Sequence, residues 1–250
     1  MPSYAEKARL FADLHVRGRP LVLFNVWDAG SAHAVAEAGA PALATGSWSV
    51  AEAQGFRDGE AMPLDLVLAN FARIAAAVDL PVSLDFERGY GASPGEIAES
   101  AARAVDAGAI GFNIEDGLAG GGLAPVEDQV ARIAAVRRAA PDAFVNARAD
   151  IFLQAPAADH DAAKLDIAIA RARAYADAGA AGFFVPGLID EALIARMCEA
   201  TALPVNIMMM PGAPPIARQA ELGVARISHG PGPWRLAMKA VGDAARALYG

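Results

Sequence analysis

The sequence predicts an α/β fold: a (βα)8 barrel of TIM type carrying an extra N-terminal helix. Three observations carry that expectation. First, four segments rhyme: Ala36-Glu-Ala-Gly-Ala-Pro-Ala-Leu43, Val105-Asp-Ala-Gly-Ala-Ile-Gly-Phe112, Ala176-Asp-Ala-Gly-Ala-Ala-Gly-Phe183 and Ala220-Glu-Leu-Gly-Val-Ala-Arg-Ile227. Each reads as a helix ended by glycine and a tight step into an apolar strand, because glycine takes the left-handed conformation cheaply. Second, strands and helices alternate with no linker-like shift in composition, so residues 1–250 read as one domain. Third, a chain of 250 residues has the length of one such barrel. A doubly wound open sheet is the alternative, and eight regular units favour closure.

The elements follow in order. The opening Met-Pro-Ser-Tyr-Ala-Glu-Lys-Ala-Arg reads as a polar amphipathic helix without the apolar core of a signal peptide. Strands are expected over Pro20–Trp27, Ala42–Trp48, Val82–Glu87, Gly111–Glu115, Phe144–Asp150, Gly182–Pro186, Pro204–Met210 and Val224–His229. Helices start near Ser31, Asp65, Pro94, Pro125, Asp161, Asp190 and Pro214, with a last one after Pro233. Several of these starts carry the Ser, Asp or Pro favoured at helix N-termini.

Composition narrows the function. Apolar residues make up 55% and charged residues 20%, which suits a compact globule with a large core. A net charge of −8 argues against nucleic acid or an anionic membrane as partner. The one cysteine, Cys198, permits no intrachain disulfide and falls in an expected helix, Glu191 to Ala200. No uncharged apolar run reaches membrane-spanning length. A soluble, cytoplasmic protein is expected.

Two strand ends hold the densest chemistry: Pro81-Val-Ser-Leu-Asp-Phe-Glu-Arg-Gly-Tyr-Gly91 and Gly111-Phe-Asn-Ile-Glu-Asp-Gly117. Residues two apart on a strand share a face, so Ser83, Asp85 and Glu87 point one way, as do Asn113 and Glu115. Acidic strand tips side by side repel each other, and a hard cation with oxygen ligands relieves that repulsion. Either run alone reads equally well as a solvated turn with helix-capping acids; both together favour a site.

A barrel carries its chemistry at the C-terminal ends of its strands. The polar residues there are Asn25, Asp28, Thr45, Ser47, Ser49, Asp85, Glu87, Asn113, Glu115 and Asp116, then Asn146, Arg148, Asp150, Asn206, Ser228 and His229. Arg148 shares its parity with Asn146 and Asp150, so its guanidinium can face the mouth and bind a carboxylate through two parallel hydrogen bonds. The competing reading of Arg148 is an ion pair inside the barrel. Asn113 and Asn206 are further candidates for substrate contact.

Other mechanisms lack their residues. The three lysines, Lys7, Lys164 and Lys239, fall in helices, which removes the Schiff-base nucleophile. The four histidines, His15, His33, His160 and His229, form no His-x-His pair, which disfavours a zinc hydrolase. His229 could touch ligand or be an ordinary hydrogen-bonded residue. Gly117-Leu-Ala-Gly-Gly-Gly-Leu123 lacks the Walker lysine and dinucleotide spacing, and reads as a mobile flap. Met208–Met210 reads as core or pocket wall.

Taken together, Asn25-Val-Trp-Asp-Ala-Gly-Ser-Ala32, Ser83–Gly91, Gly111–Asp116, Asn146-Ala-Arg-Ala-Asp150, Ala178–Val185 and Leu222–Ser228 resemble the isocitrate lyase/phosphoenolpyruvate mutase superfamily. The nearest likeness is its short phosphoenolpyruvate-mutase-like branch, often labelled carboxyvinyl-carboxyphosphonate phosphorylmutase. The resemblance implies a (βα)8 barrel that binds Mg²⁺, with Mn²⁺ an alternative, and a 2-oxo acid or its enolate. It implies Asp85 as direct metal ligand, with Asp58, Glu87 and Glu115 holding the metal's waters. Ser47 and Trp48 would offer backbone N–H groups to the substrate carboxylate and Arg148 would clamp its other end. Asp58 rests on the resemblance only.

The sequence also departs from the family. Lyases carry Lys-Lys-Cys-Gly-His after the fourth strand, with the cysteine as acid/base, and mutases and hydrolases place lysine and asparagine there. Gly117–Leu123 has none of these. Gly250 lies about where larger relatives begin the C-terminal helix they exchange between subunits, which puts helix-swapped tetramers in doubt. The expected activity is Mg²⁺-dependent cleavage or formation of a C–C bond in a small 2-oxo or 2-hydroxy dicarboxylate, of oxaloacetate decarboxylase type. The alternatives are P–C chemistry on phosphonopyruvate and a metabolite-binding barrel without turnover. Expected partners are the small 2-oxo acid and further copies of the chain.

Overall fold

The computed structural model describes residues 2–250. Eight strands alternate with helices: α1 (Tyr4–Asp13), β1 (Leu21–Leu23), α2 (Ala29–Glu37), β2 (Leu43–Ala44), α3 (Ser47–Ala53), α4 (Leu64–Ala77), β3 (Val82–Asp85), α5 (Pro94–Asp106), β4 (Gly111–Glu115) and α6 (Val126–Ala139). They continue as β5 (Phe144–Arg148), α7 (Ala162–Asp177), β6 (Gly182–Phe184), α8 (Glu191–Ala200), β7 (Val205–Met208), α9 (Ile216–Glu221), β8 (Arg226–Ser228) and α10 (Gly232–Tyr249). All pairings are parallel, in the order β1-β8-β7-β6-β5-β4-β3-β2. A single parallel bridge, Val26 to Thr45, brings the ends of the first and second strands together and completes the (βα)8 ring.

Local chemistry sets the helix starts. Ser3 with Glu6 and Ser93 with Glu96 form reciprocal capping boxes at α1 and α5, and Asp161 and Asp190 cap α7 and α8. The fourth strand and α8 run over the residues expected from the sequence. The second strand does not. It stops at Ala44, and Ser47 and Trp48, expected as its last residues, open α3 instead. The third strand stops at Asp85, two residues short of Glu87.

One apolar layer lies between strands and helices, built on Phe71, Phe86, Phe112, Ile114, Tyr175 and Phe183. A second cluster fills the barrel's N-terminal end, where Ala8 and Phe11 of α1 pack on Leu21, Leu23, Ile110 and Phe144. The extra helix therefore plugs the floor and leaves the C-terminal mouth for chemistry. Register puts Asp85, Asn113 and Asn146 abreast on β3, β4 and β5, and sets Glu115 beside Arg148.

Candidate active site

The acidic side of the mouth is organised around Asp85. Its backbone N–H donates to Thr45 Oγ1 at 2.9 Å, and the Ser47 N–H donates to its Oδ2 at 2.9 Å. Asn113 Nδ2 approaches Oδ1 at 3.4 Å. The Asn113 amide has one orientation, because its Oδ1 accepts from Asn146 Nδ2 at 2.9 Å and from Arg226 Nη2 at 3.3 Å. Ser47 N–H, implied by resemblance as a carboxylate donor, is thus engaged with Asp85, while the Trp48 N–H sits in the first turn of α3, where no intrahelical acceptor exists.

Asp58 and Glu87 join Asp85 by routes that strand parity does not describe. Asp58 comes from the loop between α3 and α4 and lines the same cavity as Asp85. Burial raises its carboxyl above the ordinary range, and the charge of Asp85 adds to this. Glu87 lies past the strand end in the left-handed conformation, φ 48°. It is nearly sealed, accepting from the Glu60 N–H and the Tyr90 hydroxyl. Burial pushes its carboxyl up to about 7, with Asp58 and Asp85 reinforcing the shift. A pocket of about 10 Å³, close to the size of one water, touches both Asp85 and Glu87.

The opposite side carries Arg148. Its Nη1 lies 2.7 Å from Glu115 Oε2, while Nε and Nη2 grip both oxygens of Asp150 at 2.6 and 3.0 Å. Burial works against the guanidinium charge, and Glu115, Asp150 and Asp85 together overcome it, so Arg148 stays cationic. Burial likewise raises the Glu115 carboxyl, against the pull of Arg148. Arg148 is thus held in ion pairs and also lines the cavity.

That cavity has a volume of about 170 Å³, the scale of a small metabolite rather than of a drug-sized ligand. Asn25, Ser47, Asp58, Asp85, Asn113 and Arg148 form its polar wall. Trp48, Leu153, Phe184, Met208 and Pro231 form an apolar wall. Trp48 is held there edge-on to Trp234, under the guanidinium of Arg235.

Several strand-tip residues do other work. Asn206, expected as a substrate contact, is buried, bonds Ser228 Oγ at 3.2 Å and is not among the residues lining the cavity. Asp28 caps α2 through the Ser31 N–H, and Ser49 is buried in α3. His229 contacts Leu23 O and Phe24. Asp116 turns away from the mouth to Arg171 and Tyr175 of α7, partners that no strand-based reading reveals. Gly117–Leu123 closes on itself as a small hairpin through Leu118 N–H to Gly122 O at 3.0 Å. Cys198 is buried on α8, and burial lifts its thiol to about 11.

The donor set fits a hard cation. Among the described residues, no three Asp, Glu, His or Cys side chains converge closely enough to bind an ion directly. What the mouth offers is two cavity-lining carboxylates, Asp85 and Asp58, with Glu87 close behind, and burial, reinforced by the neighbouring carboxylate charges, raises the pKa values of Asp58 and Glu87. Mg²⁺ keeps several waters and takes few direct carboxylates, which matches this spacing.

Comparison with known proteins agrees with the fold and the motifs. The phosphoenolpyruvate phosphomutase family model matches residues 11–249. The uncharacterized protein Rv1998c of Mycobacterium tuberculosis is 39% identical over 240 residues, covering 95% of this chain and 88% of that protein. The 2-methylisocitrate lyase of Escherichia coli is 29% identical over 243 residues, covering 92% and 79%. A Burkholderia cenocepacia crystal structure, provisionally described as a phosphonomutase, superposes with TM-score 0.96 at 52% identity over 98% of this chain and 99% of that one. Phosphonopyruvate hydrolase in complex with oxalate and Mg²⁺ shares the fold at TM-score 0.85 and 18% identity, covering 97% and 87%. With the family model spanning nearly the whole barrel and the motif carboxylates gathered at its mouth, the chain belongs to the phosphoenolpyruvate phosphomutase family, within the isocitrate lyase/phosphoenolpyruvate mutase superfamily of lyases and mutases.

Proposed function

We propose that the protein is a Mg²⁺-dependent lyase, Mn²⁺ serving equally, that cleaves or forms a C–C bond in a small 2-oxo or 2-hydroxy dicarboxylate. Oxaloacetate-type decarboxylation is the simplest case. The carrying observation is the cavity itself, with Asp85, Asp58 and Arg148 in its polar wall and no thiol, lysine or histidine among its lining residues.

In this reading Asp85 would hold the cation directly, with Asp58, Glu87 and Glu115 acting through water. A cation there supplies positive charge where the substrate's enolate oxygen develops. Arg148, kept charged and pre-aimed by Asp150, binds a substrate carboxylate. Asn113 holds Asp85 in place, and Trp48, Leu153 and Phe184 exclude water. Loss of CO2 needs no general base, which suits a mouth whose neighbouring loop, Gly117–Leu123, carries no ionisable group.

P–C chemistry on phosphonopyruvate is the second reading, favoured by the 52% identity to the protein described as a phosphonomutase. The bare glycine loop favours a third, a metabolite-binding barrel without turnover. Turnover assays on a panel of 2-oxo acids and phosphonopyruvate, with divalent-metal titration, decide among them. Activity on a dicarboxylate is expected to vanish with EDTA and return with Mg²⁺ or Mn²⁺. Full activity in metal-free buffer would sink the mechanism, and metal binding with no turnover on any substrate would favour the binding barrel.

A further inference from the structure

We propose that Arg171, with Tyr175 and Asp116, is a positioning latch that holds the Arg148 guanidinium and the base of the Gly117–Leu123 loop in one arrangement. Arg171 and Tyr175 lie one helical turn apart on α7 and reach inward to the tip of β4. Arg171 Nη1 and the Tyr175 hydroxyl donate to Asp116 Oδ2 at 2.9 and 2.8 Å. The other carboxylate oxygen, Oδ1, accepts the Asp150 N–H at 2.9 Å. Asp150 in turn grips Arg148 through both of its oxygens. Three links therefore join an outer helix to the cation at the mouth.

The same guanidinium also holds the loop. Arg171 Nη2 donates to Ala124 O at 3.0 Å, and the Ala124 N–H donates to Asp116 O at 2.8 Å, so the residue just after the loop is held at both backbone groups. At the loop's other end, a Cβ on Gly117 would come within 2.5 Å of Asp150 Oδ2. Loop base and clamp therefore occupy adjoining space.

Stability alone does not explain such a pair. Asp116 and Arg171 are 1% and 8% exposed, and a buried ion pair contributes little that packed apolar residues would not. What apolar residues cannot do is aim four donors at two carboxylate oxygens and a carbonyl. The network is thus a device for geometry, and neither Arg171 nor Tyr175 touches the cavity.

The role of Arg148 as anion clamp rests on the function proposed above; the hydrogen bonds of the latch do not. The test uses the whole 250-residue chain, amide exchange by NMR, the Arg148 Nε–H resonance, and titration of oxalate in the presence of Mg²⁺. Arg171→Met is expected to speed exchange at Asp150, Ala124 and Leu118 together and to broaden or shift Arg148 Nε–H. It is also expected to weaken oxalate roughly tenfold, the usual cost of losing a supporting group behind a ligand-binding residue. Tyr175→Phe, which keeps the ring, shifts the same readouts less, and decides the matter if Arg171→Met fails to fold. Faster exchange at Ala124 and Leu118 with Asp150 and Arg148 Nε–H unmoved would overturn the latch, and so would no change at all. Arg148→Met binding oxalate as tightly as wild type, or wild type not binding it, would instead refute the anion clamp, leaving the Asp150 and Arg148 Nε–H signals to judge the latch.

Discussion

The two ends of the barrel interior treat buried charge in opposite ways. At the floor, Phe11 of α1 meets Phe144 edge-on at 5.6 Å, His15 stacks on Phe144 at 3.9 Å, and the Arg226 guanidinium lies 5.8 Å from the Phe11 ring. No carboxylate pairs with Arg226 among the described residues, and burial pushes its pKa down to about 9. Burial and the nearby Arg226 push the His15 ring down to about 3, so it is neutral. At the mouth, Arg148 is equally crowded but faces three carboxylates and stays charged. Burial of an arginine is therefore not what makes a site. The mouth sets the Arg148 guanidinium against Glu115 and Asp150 beside an open cavity, whereas the Arg226 guanidinium is closed in against the Phe11 ring and spends Nη2 on the uncharged Asn113 Oδ1. Mouth substitutions should change binding with little loss of stability, and floor substitutions the reverse.

Asp85→Ala gives the largest effect. It is expected to abolish Mn²⁺ binding, followed by electron paramagnetic resonance, while the cooperative thermal transition persists. Wild-type affinity in this variant would put the cation elsewhere. Phe11→Ala is the converse, costing about 3–5 kcal/mol in denaturant unfolding with Mn²⁺ affinity unchanged. If it weakened metal binding as strongly as Asp85→Ala, the two ends would be one coupled unit and the contrast would fail.

The pH dependence of the metal-free protein comes next. Glu87 has its folded-state pKa raised from 4.5 to about 7, so between these values the native state holds a proton that the unfolded state has lost. Its contribution is fully present below about 4.5 and is lost as pH rises through about 7, an effect of about 3 kcal/mol. Glu87→Gln is expected to remove that share of the slope, read from unfolding free energies across the window. An unaltered slope would assign the titration to another group.

Two smaller effects refine the picture. Replacing Gly120, Gly121 and Gly122 by alanine forces side chains onto φ values of +88° and +83° at the last two positions, strain of order 1 kcal/mol each. Turnover is expected to fall several-fold while Mg²⁺ affinity holds, and unchanged kinetics would make the loop a passive turn. Cys198→Ser is expected to leave turnover within about twofold, since the sulfur is buried on α8. A hundredfold loss, about 2.7 kcal/mol of transition-state stabilisation, would mean that the thiol reaches the chemistry.

Periodicity and punctuation made most of the barrel legible. Glycine after alanine-rich helices marked the turns into β4, β6 and β8, and period-two alternation put Asp85 on one face with Ser83 and Asn113 on one face with Glu115; the register that sets Asp85 beside Asn113 came from the structure. The second unit failed because Thr45-Gly-Ser-Trp-Ser-Val reads as strand on propensity, and Gly46, at the N-cap of α3, has no side chain to announce the helix. Glu87 was grouped with Asp85 by parity, yet its place depends on a left-handed turn after the strand and on Glu60, 27 residues earlier. Asp116 was counted with Glu115 at the end of the fourth strand, although adjacent strand residues face opposite ways. What Asp116 faces is set by Arg171, 55 residues away on another layer, and only tertiary structure reveals such a partner.

The plugged floor makes the barrel a blind tube. Phe11 is fully buried and α1 closes the N-terminal end, so in a lyase of the kind proposed above substrate would enter, and both fragments would leave, through the mouth. In a dead-end passage the fragment nearer the opening departs first, and the deeper one waits behind it. Release under that proposal would be ordered by position, and product inhibition would carry the signature: the last fragment to leave would compete with substrate for the empty protein, and the first would not.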